Sequence, residues 1–348
     1  MNIHYDATVE SSKKIYFFFI ISPLQFYSIF IFTIIIICAI IKTLQRDSCS
    51  LIFLGVFIMA KYLMINADDF GMCHSANEAI FELFELGRLK SSTVMMPCPA
   101  AKEAVDFSIA HPEYAIGVHL TTTAEWDTYR WKALTNGPSL HDKEGYMWRS
   151  GEEADKYGKY EEIEAEIRAQ IDLAHKWGMK PSHVDNHMGS LYGHLTGRFS
   201  LLKLTLRVCG DYGYAFRMFT SADKRVTPRG APYPIWSACT LLSRSWGNKY
   251  NVIMPDYLLF PDWDVMPTDS YESYRKKILD IWCNIPDGIT ETYVHPALET
   301  DELKEIVPLW EQRVWEYQVI KDPETEKYLN AHGVELISYR DIIRMKSK

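Results

Sequence analysis

From Lys61 onward, short apolar runs alternate with longer amphipathic stretches, and this alternation restricts the fold more than any other feature of the sequence. The short runs have the length of buried strands, whereas the longer stretches repeat apolar residues at helical spacing, as do Ile163, Ile167 and Ile171. Strands that alternate with helices pair in parallel and are covered by those helices. The sequence therefore predicts an α/β fold, and we expect a (β/α) barrel that occupies residues 59–348.

The predicted elements follow one another from the start of this region almost to its end. Strands are expected at 61–67, 92–96, 115–120, 183–187, 214–219, 291–295 and 334–338. Helices are expected at 75–86, 100–110, 160–177, 195–209 and 271–283. Two stretches, 121–158 and 220–268, are rich in Trp, Tyr, Pro and Gly and lack a clear period. In a barrel, such stretches are loops over the face that carries the catalytic groups.

Residues 1–58 differ from the rest, because positions 15–41 form an uncharged run dominated by Ile and Phe. About 20 apolar residues suffice to cross a bilayer, so the run is long enough for a transmembrane helix. A second interpretation is that the start has been placed too early and that translation begins at Met59. The first interpretation predicts a protein with a single membrane anchor, and the second predicts a cytoplasmic protein. Basic residues flank both ends of the run, so the charge pattern favours neither orientation.

The charge and the cysteines exclude two classes of protein. The formal net charge is -8 and the isoelectric point is about 5.8, whereas sequence-independent binding of nucleic acid requires a basic surface. No nucleic-acid partner is therefore expected. The seven cysteines are scattered and contain no C-x-x-C pair, so we expect free or buried thiols rather than a zinc ribbon or a disulfide framework.

Two adjacent carboxylates, Asp68 and Asp69, follow a strongly apolar run at 62–65. Neighbouring side chains on an extended chain point to opposite sides, but at the end of a strand the backbone turns and both can face the mouth of a barrel. One carboxylate can then bind a metal while the other takes a proton. A single Asp in this place is explained by helix capping, whereas the pair favours a functional site.

Histidines stand near the ends of three further predicted strands. His119 lies on the third strand, and His295 ends a later one before a proline. His183, Asp185 and His187 alternate at period two, so a strand would place all three on one face. Three titratable groups on one face are not buried without partners, and a metal, or a ligating histidine oriented by a carboxylate, provides such partners. One Asp and two His are a familiar set of three metal ligands with open positions for water and substrate.

The motifs N-A-D-D-F-G, G-V-H-L, H-V-D-N-H and V-H-P occur in this order, and together they resemble the YdjC-like carbohydrate deacetylases, a family that includes chitooligosaccharide deacetylases. The resemblance implies a barrel of the glycoside hydrolase/deacetylase type. It also implies metal-dependent hydrolysis of the acetamide of a small N-acetylated sugar or oligosaccharide, with release of acetate. One divalent ion is implied, magnesium by resemblance, although histidine and carboxylate ligands also suit zinc, manganese or cobalt. A homodimer is compatible with the resemblance.

Carried over motif by motif, the resemblance assigns a role to several residues of this chain. Asp69, His119 and His187 are the expected metal ligands. Asp68 resembles the general base, and His295 resembles the general acid. Three further residues are expected to support the site or to contact substrate: His183, Asp185 and Arg217.

Two details qualify what the resemblance implies. Arg217 stands where an arginine of the fifth strand steadies the base. Several relatives carry consecutive histidines where this chain has Asn186-His187-Met188-Gly189, and this departure leaves the identity of the sugar open.

Aromatic residues of the irregular stretches can stack on sugar rings, although loop packing explains them equally well. The candidates are Trp126, Trp131, Tyr233, Trp236 and Trp263.

Two other functions are compatible with the same residues. A metal-independent glycoside hydrolase would use Asp68 and Asp185 as its carboxylate pair, and its activity would survive complete removal of metal by a chelator. A non-catalytic, membrane-anchored module would bind a sugar or a metal without releasing acetate.

A protein that begins at Met59 is expected to be soluble, folded and active, because the first predicted strand starts at Lys61 and no motif lies upstream. A barrel closes its own sheet and needs no strand from residues 1–58. The measurement is acetate release by the shortened and the full-length protein at equal concentration. Activity confined to the full-length protein in membranes would contradict this prediction.

Overall fold

The computed structural model describes residues 60–228, 233–260 and 269–347. Its strands are β1 (Lys61–Phe70), β2 (Ser91–Val94), β3 (Ala115–Leu120), β4 (His183–Asn186), β5 (Ala215–Phe216), β6 (Tyr257–Leu258), β7 (Gly288–Val294) and β8 (Val334–Leu336). Its helices are α1 (His74–Glu85), α2 (Ala101–Ala110), α3 (Gly151–Tyr157), α4 (Tyr160–Lys176), α5 (Ser200–Tyr212), α6 (Tyr233–Tyr250), α7 (Tyr271–Cys283), α8 (Asp301–Ile306), α9 (Trp310–Lys321), α10 (Pro323–Ala331) and α11 (Tyr339–Lys346).

The strands form one parallel sheet in which β1 is central. The order is β5-β4-β3-β2-β1-β7-β6, and β8 pairs with the first residues of β1. The strands β5 and β6 stand at the two ends of this order, and the backbone N–H of Phe216 donates to the carbonyl of Ile253 at 2.9 Å. This bond links the end of β5 to the segment before β6. The sheet is therefore an incomplete (β/α) barrel, and the predicted fold class is confirmed.

Amphipathic helices cover the sheet for the reason that the sequence indicated. In α4, residues Ile163, Ile167 and Ile171 recur at helical spacing, and all three are buried. On the sheet side, Leu63 and Val118 lie in the same apolar cluster as these isoleucines. Because the strands run parallel, the carboxyl ends of β1, β3, β4 and β7 lie at the same edge of the barrel.

The irregular stretches contain more regular structure than the sequence indicated. The stretch 220–268 was expected to be a loop, yet it contains α6 and β6. Pro234 is the second residue of α6, where its missing N–H costs no hydrogen bond. The predicted helix at 195–209 begins only at Ser200, because Gly193 and Gly197 take φ values of +68° and +77°, outside the range of a right-handed helix. The predicted strand at 214–219 is only two residues long.

Two expectations, a membrane-spanning run and free or buried cysteines, fall only partly within the described residues. Among the described residues, no helix has the length and apolar character needed to cross a membrane. The run at 15–41 lies outside the described residues, and so do Cys38 and Cys49. The other five cysteines are free, as predicted, and Cys73, Cys98 and Cys209 are buried.

Gly71 and Gly87 provide a matched test of how tightly β1 is packed against α2. Both have positive φ values, +84° and +66°. A Cβ on Gly71 would lie 2.8 Å from the Cα of Ala101, whereas a Cβ on Gly87 would meet no atom within 4 Å. Gly87→Ala is expected to lower the free energy of unfolding by about 1–2 kcal/mol, the strain of a left-handed residue. Gly71→Ala is expected to lower it further, because the backbone of α2 must move. Urea denaturation measures both, and equal losses would contradict the close packing.

Candidate active site and metal centre

Asp68 and Asp69 face the same cavity because β1 is irregular where they occur. The register of β1 against β2 shifts between Ala67 and Phe70, and Asp69 takes a φ of +61°. A left-handed backbone is uncommon for a residue other than glycine and is found at bulges and functional sites. The pair thus lies inside the strand rather than after it. The bulge, and not the end of the strand, turns both carboxylates into a cavity of about 480 Å³.

Asp69, His119 and His187 form a buried triad. The Oδ1 atom of Asp69 lies 3.6 Å from Nε2 of His119 and 3.3 Å from Nδ1 of His187. One ligand atom from each residue lies within 4.8 Å of the other two. Among the described residues, Asp69 Oδ1 has no hydrogen-bond partner. Three converging ligand atoms, one of them an unpartnered buried carboxylate oxygen, are the arrangement that a metal ion requires.

The triad also has the electrostatics of a cation site. Burial raises the pKa of Asp69, but Arg313 and His187 outweigh it and hold that pKa well below its usual range. Burial lowers the pKa of His187, yet the carboxylates of Glu125 and Asp69 raise it to about 10. The carboxylates therefore favour positive charge at this ring, and a divalent cation would replace the proton. Metal ligands bind in their deprotonated forms, so such an exchange is the usual chemistry of metal uptake.

His187 reaches the triad from a turn rather than from a strand. The strand β4 ends at Asn186, and Met188 and Gly189 then take φ values of +54° and +63°. The expectation that His183, Asp185 and His187 share one strand face is therefore wrong for His187. The left-handed residues bend the chain at the mouth of the barrel, which period-two spacing cannot reveal.

Asp68 is held by a fork of hydrogen bonds from Arg217. The Nη1 and Nη2 atoms of Arg217 each donate to one carboxylate oxygen of Asp68 at 2.6 Å, and the amide of Asn66 donates at 2.8 Å. Burial raises the pKa of Asp68, but the charge of Arg217 outweighs it and lowers the pKa below its usual value. Its Oδ2 atom also lies 3.9 Å from Nε2 of His119. Asp68 is thus an ionised, oriented carboxylate beside the triad.

Arg217 serves two further buried carboxylates. Its Nη2 atom lies 2.8 Å from Oδ2 of Asp185, and its Nε atom donates to Glu291 at 2.7 Å. Asp185 in turn accepts from Nδ1 of His119 at 2.6 Å. Arg217 and Asp185 therefore orient the candidate base and one candidate metal ligand. The hydroxyl of Tyr339 completes the cluster by donating to Glu291.

His183 lies below the cavity instead of lining it. Its ring is fully buried and stacks on Tyr339 with ring centroids 3.5 Å apart. Its Nε2 atom lies 3.2 Å from Oδ1 of Asn66, the residue that also donates to Asp68. Burial, together with the charge of Arg217, lowers the pKa of His183 well below its usual value. A neutral His183 thus supports Asn66 and does not reach the space that a substrate would occupy.

His295 directly follows β7 and lines the cavity with its side chain 26% exposed. Its Nδ1 atom lies 3.8 Å from Oε2 of Glu316, and its backbone N–H donates to the same carboxylate. Glu316 lies on α9. His295 and Asp68 therefore enter one cavity from the neighbouring strands β7 and β1.

A profile of YdjC-like proteins matches residues 62–331. The chain belongs to the YdjC-like protein family. A carbohydrate deacetylase from Geobacillus stearothermophilus is 27% identical over 288 residues, which cover 82% of this chain and 100% of that protein. A chitooligosaccharide deacetylase from Yersinia enterocolitica is 34% identical over 134 residues, which cover 37% of this chain and 50% of that protein.

A solved structure agrees with the fold of this YdjC-like chain. A protein from Enterococcus faecalis, whose name refers to the cleavage of cellobiose-phosphate, is 26% identical and superposes with a TM-score of 0.63. The alignment covers 81% of this chain and 99% of that protein. The family resemblance indicated by the sequence motifs is thus confirmed.

Sequence reasoning missed two charged residues that contact the triad. Glu125 lies in the loop after β3, and its carboxylate is 3.0 Å from Nε2 of His187. Arg313 lies on α9, and its Nη2 atom donates to Oδ2 of Asp69 at 2.7 Å. Glu125 belongs to a stretch without periodicity, and Arg313 stands 244 positions from Asp69. Neither a motif nor a periodic pattern in the sequence marked either residue.

The predicted sugar-stacking residues occupy different places. Trp126 lines the cavity. Trp131 is buried, and its indole N–H donates to a backbone carbonyl at 2.8 Å. Trp236 stacks on a phenylalanine ring at 4.1 Å outside this cavity. Tyr233 donates to a backbone carbonyl at 3.4 Å, and Trp263 lies outside the described residues. Among the four described aromatics, only Trp126 therefore lines the cavity.

Replacing Arg217 by methionine is expected to destabilise the YdjC-like fold strongly. Asp68, Asp185 and Glu291 would then remain buried without their shared cation, a change that costs about 3–5 kcal/mol. The matched control is Arg168→Met, because Arg168 pairs with Glu164 and Asp211 at the surface. Surface pairs contribute about 1 kcal/mol or less.

Chemical denaturation of the two variants measures the difference in their free energies of unfolding. Similar losses for the buried and the surface arginine would contradict the central role of Arg217.

Proposed function

We propose that this YdjC-like chain is a metal-dependent carbohydrate deacetylase, which hydrolyses the acetamide of an N-acetylated sugar and releases acetate. One observation carries the proposal: a buried carboxylate–histidine–histidine triad shares its cavity with a second oriented carboxylate and an accessible histidine. This set can hold a metal, accept a proton and donate a proton within one site. The deacetylase names of the curated relatives support the substrate class.

In the proposed mechanism, Asp69, His119 and His187 hold one divalent ion. When bound, that ion supplies Lewis-acid polarisation of the amide carbonyl and increases the acidity of water. Two nitrogen donors and one oxygen donor suit zinc, manganese or cobalt, whereas magnesium prefers a larger share of oxygen ligands. We therefore infer that a transition metal supports the activity better than magnesium.

Asp68 and His295 divide the proton transfers. Asp68 accepts a proton from the attacking water, and the two hydrogen bonds from Arg217 keep its carboxylate ionised and aimed at the cavity. His295 donates a proton to the leaving amine, since it lines the cavity as a partly exposed histidine directly after the neighbouring strand β7. Hydrolysis of an amide requires one group that accepts a proton and one that donates a proton within the same cavity.

Unpartnered donors in the cavity wall suit a sugar derivative. Among the described residues, Arg313 Nη1, Trp126 Nε1 and Asn186 Nδ2 are buried and have no hydrogen-bond partner. All three residues line the cavity. Buried donors are normally satisfied, so a ligand rich in oxygen acceptors completes them. Sugar hydroxyls and an amide carbonyl provide such acceptors.

The glycoside hydrolase alternative receives no support from this geometry. It needs Asp68 and Asp185 as a pair that flanks the substrate. Asp185 is fully buried and accepts hydrogen bonds from Thr93 and Asn66, in addition to its contacts with His119 and Arg217. It does not line the cavity. Its position instead suits the orientation of His119.

The proposal predicts that acetate release requires metal. Protein stripped with a chelator is expected to release no acetate from a panel of N-acetylated sugars, and zinc, manganese or cobalt is expected to restore the activity. Magnesium is added in a parallel assay and is expected to restore less activity. Full activity after complete removal of metal would refute the proposal, and a sugar that is cleaved at its glycosidic bond without metal would support the hydrolase alternative.

Two kinds of substitution are expected to separate proton transfer from metal binding. Asp68→Asn should retain metal and lose about 100-fold or more in turnover, because it removes a proton-transfer group. His119→Ala and His187→Ala should lose both metal and activity, because each removes a ligand. Elemental analysis of the folded variants and acetate release test this prediction. Near-normal turnover of Asp68→Asn, or stoichiometric metal in either alanine variant, would contradict the assigned roles.

A further inference from the structure

We propose that Glu125 is a positioning residue that orients the His187 ring for metal binding. The inference rests on the metal centre of the proposed function. It adds a residue from the loop after β3, to which neither the sequence motifs nor the family resemblance assigned a role.

Each of the two ring nitrogens of His187 faces a different carboxylate. The Nε2 atom lies 3.1 and 3.0 Å from the two oxygens of Glu125. The Nδ1 atom faces Oδ1 of Asp69 at 3.3 Å. When Nε2 carries its proton toward Glu125, the lone pair of a neutral imidazole is on Nδ1. This is the nitrogen that points into the triad.

His119 has the same arrangement with its nitrogens exchanged. Its Nδ1 atom contacts Asp185 at 2.6 Å, and its Nε2 atom faces Asp69 at 3.6 Å. Each candidate histidine ligand thus has a carboxylate behind it. Ligating histidines usually bond through their other ring nitrogen to a carboxylate, which fixes the tautomer and the ring orientation.

The two supporting carboxylates differ in how they are held. Asp185 also contacts Thr93 and Arg217, so replacing it would disturb several groups at once. Within the described part of the chain, the Glu125 side chain hydrogen-bonds to His187 alone. Its side chain is 16% exposed and lines the cavity. A substitution at Glu125 therefore tests the orientation of one ligand with little other disturbance.

His187 needs such support because its backbone is outside the sheet. It lies in the turn that follows β4, where Met188 and Gly189 are left-handed. The neighbouring aromatic ring, Trp131, has its centroid 6.3 Å from that of His187. Without Glu125, the contact that remains to the ring is that of Nδ1 with Asp69 at 3.3 Å, on the side where the metal would bind, and nothing on the Nε2 side would fix the tautomer or the rotation among the described residues.

The experiment compares Glu125→Ala and Glu125→Gln with the control Asp127→Ala. Asp127 lies two positions away on the same loop, has a side chain that is 93% exposed and pairs with Arg149. Cobalt affinity is measured by competition with a chelator, and the visible spectrum of bound cobalt reports the ligand geometry. Circular dichroism verifies that each variant is folded.

Glu125→Ala is expected to weaken cobalt binding by about 10–100-fold and to change the cobalt spectrum, the usual effect of removing an outer carboxylate. Glu125→Gln retains an oxygen that accepts from Nε2, so it should recover the wild-type spectrum and most of the affinity. Asp127→Ala should match the wild-type protein in both measurements.

Several results would overturn the inference. Wild-type affinity and spectrum in Glu125→Ala would show that the ring needs no partner, while the metal centre itself would stand. A Gln variant as weak as the Ala variant would show that charge and not orientation matters. Complete loss of cobalt, as expected for His187→Ala, would make Glu125 a ligand. Failure of the unaltered protein to bind cobalt would instead refute the metal centre.

Discussion

The guanidinium of Arg217 compensates three buried carboxylates from three strands, and the active face of the barrel depends on this interaction. Asp68 comes from β1, Asp185 from β4 and Glu291 from β7. Buried charges are tolerated only when they are paired and hydrogen-bonded. Burial nevertheless raises the pKa of Glu291 to about 7, because one cation is shared by several acids. Arg217 thus orients the candidate base directly and His119 through Asp185. The position of the base and that of one candidate metal ligand therefore depend on the same side chain.

Several carboxylates close to the triad make the cavity suitable for a divalent cation. Around the triad stand four carboxylates and two guanidiniums: Asp68, Asp69, Asp185, Glu125, Arg217 and Arg313. With these groups ionised and Glu291 also sharing Arg217, negative charges outnumber the guanidinium charges in a largely buried space. A divalent cation would balance them and would give the unpartnered Oδ1 atom of Asp69 a bond. Burial here leaves an excess of negative charge at the candidate metal centre, which a divalent cation would offset.

The sequence was sufficient where chemistry coincides with the end of a strand. Parallel strands bring their carboxyl ends to one edge, so Asp68, Asp69 and His295 were predictable neighbours, and all three line one cavity. Asp68 and Asp69 nevertheless lie inside β1 and reach the cavity through its bulge, which the sequence did not indicate. Glu125 and Arg313 were not predictable, because a loop without periodicity and a distant helix carry them. Their positions depend on packing between elements far apart in sequence. The bulge at Asp69 and the left-handed turn after His187 were hidden for a related reason, since backbone strain is maintained by tertiary contacts.

The location of a bound metal would show whether Asp69, His119 and His187 form the metal centre. A crystal of the protein grown with manganese, measured near the manganese absorption edge, would show the ion as an anomalous peak. One anomalous peak is expected at bonding distance from Asp69, His119 and His187. Asp68, His119 and Asp185 form a second buried group whose ligand atoms also lie within 4.8 Å of one another. A peak bound by Asp68 and Asp185 instead, or no peak in the cavity, would contradict the assignment of Asp69, His119 and His187 as the metal ligands.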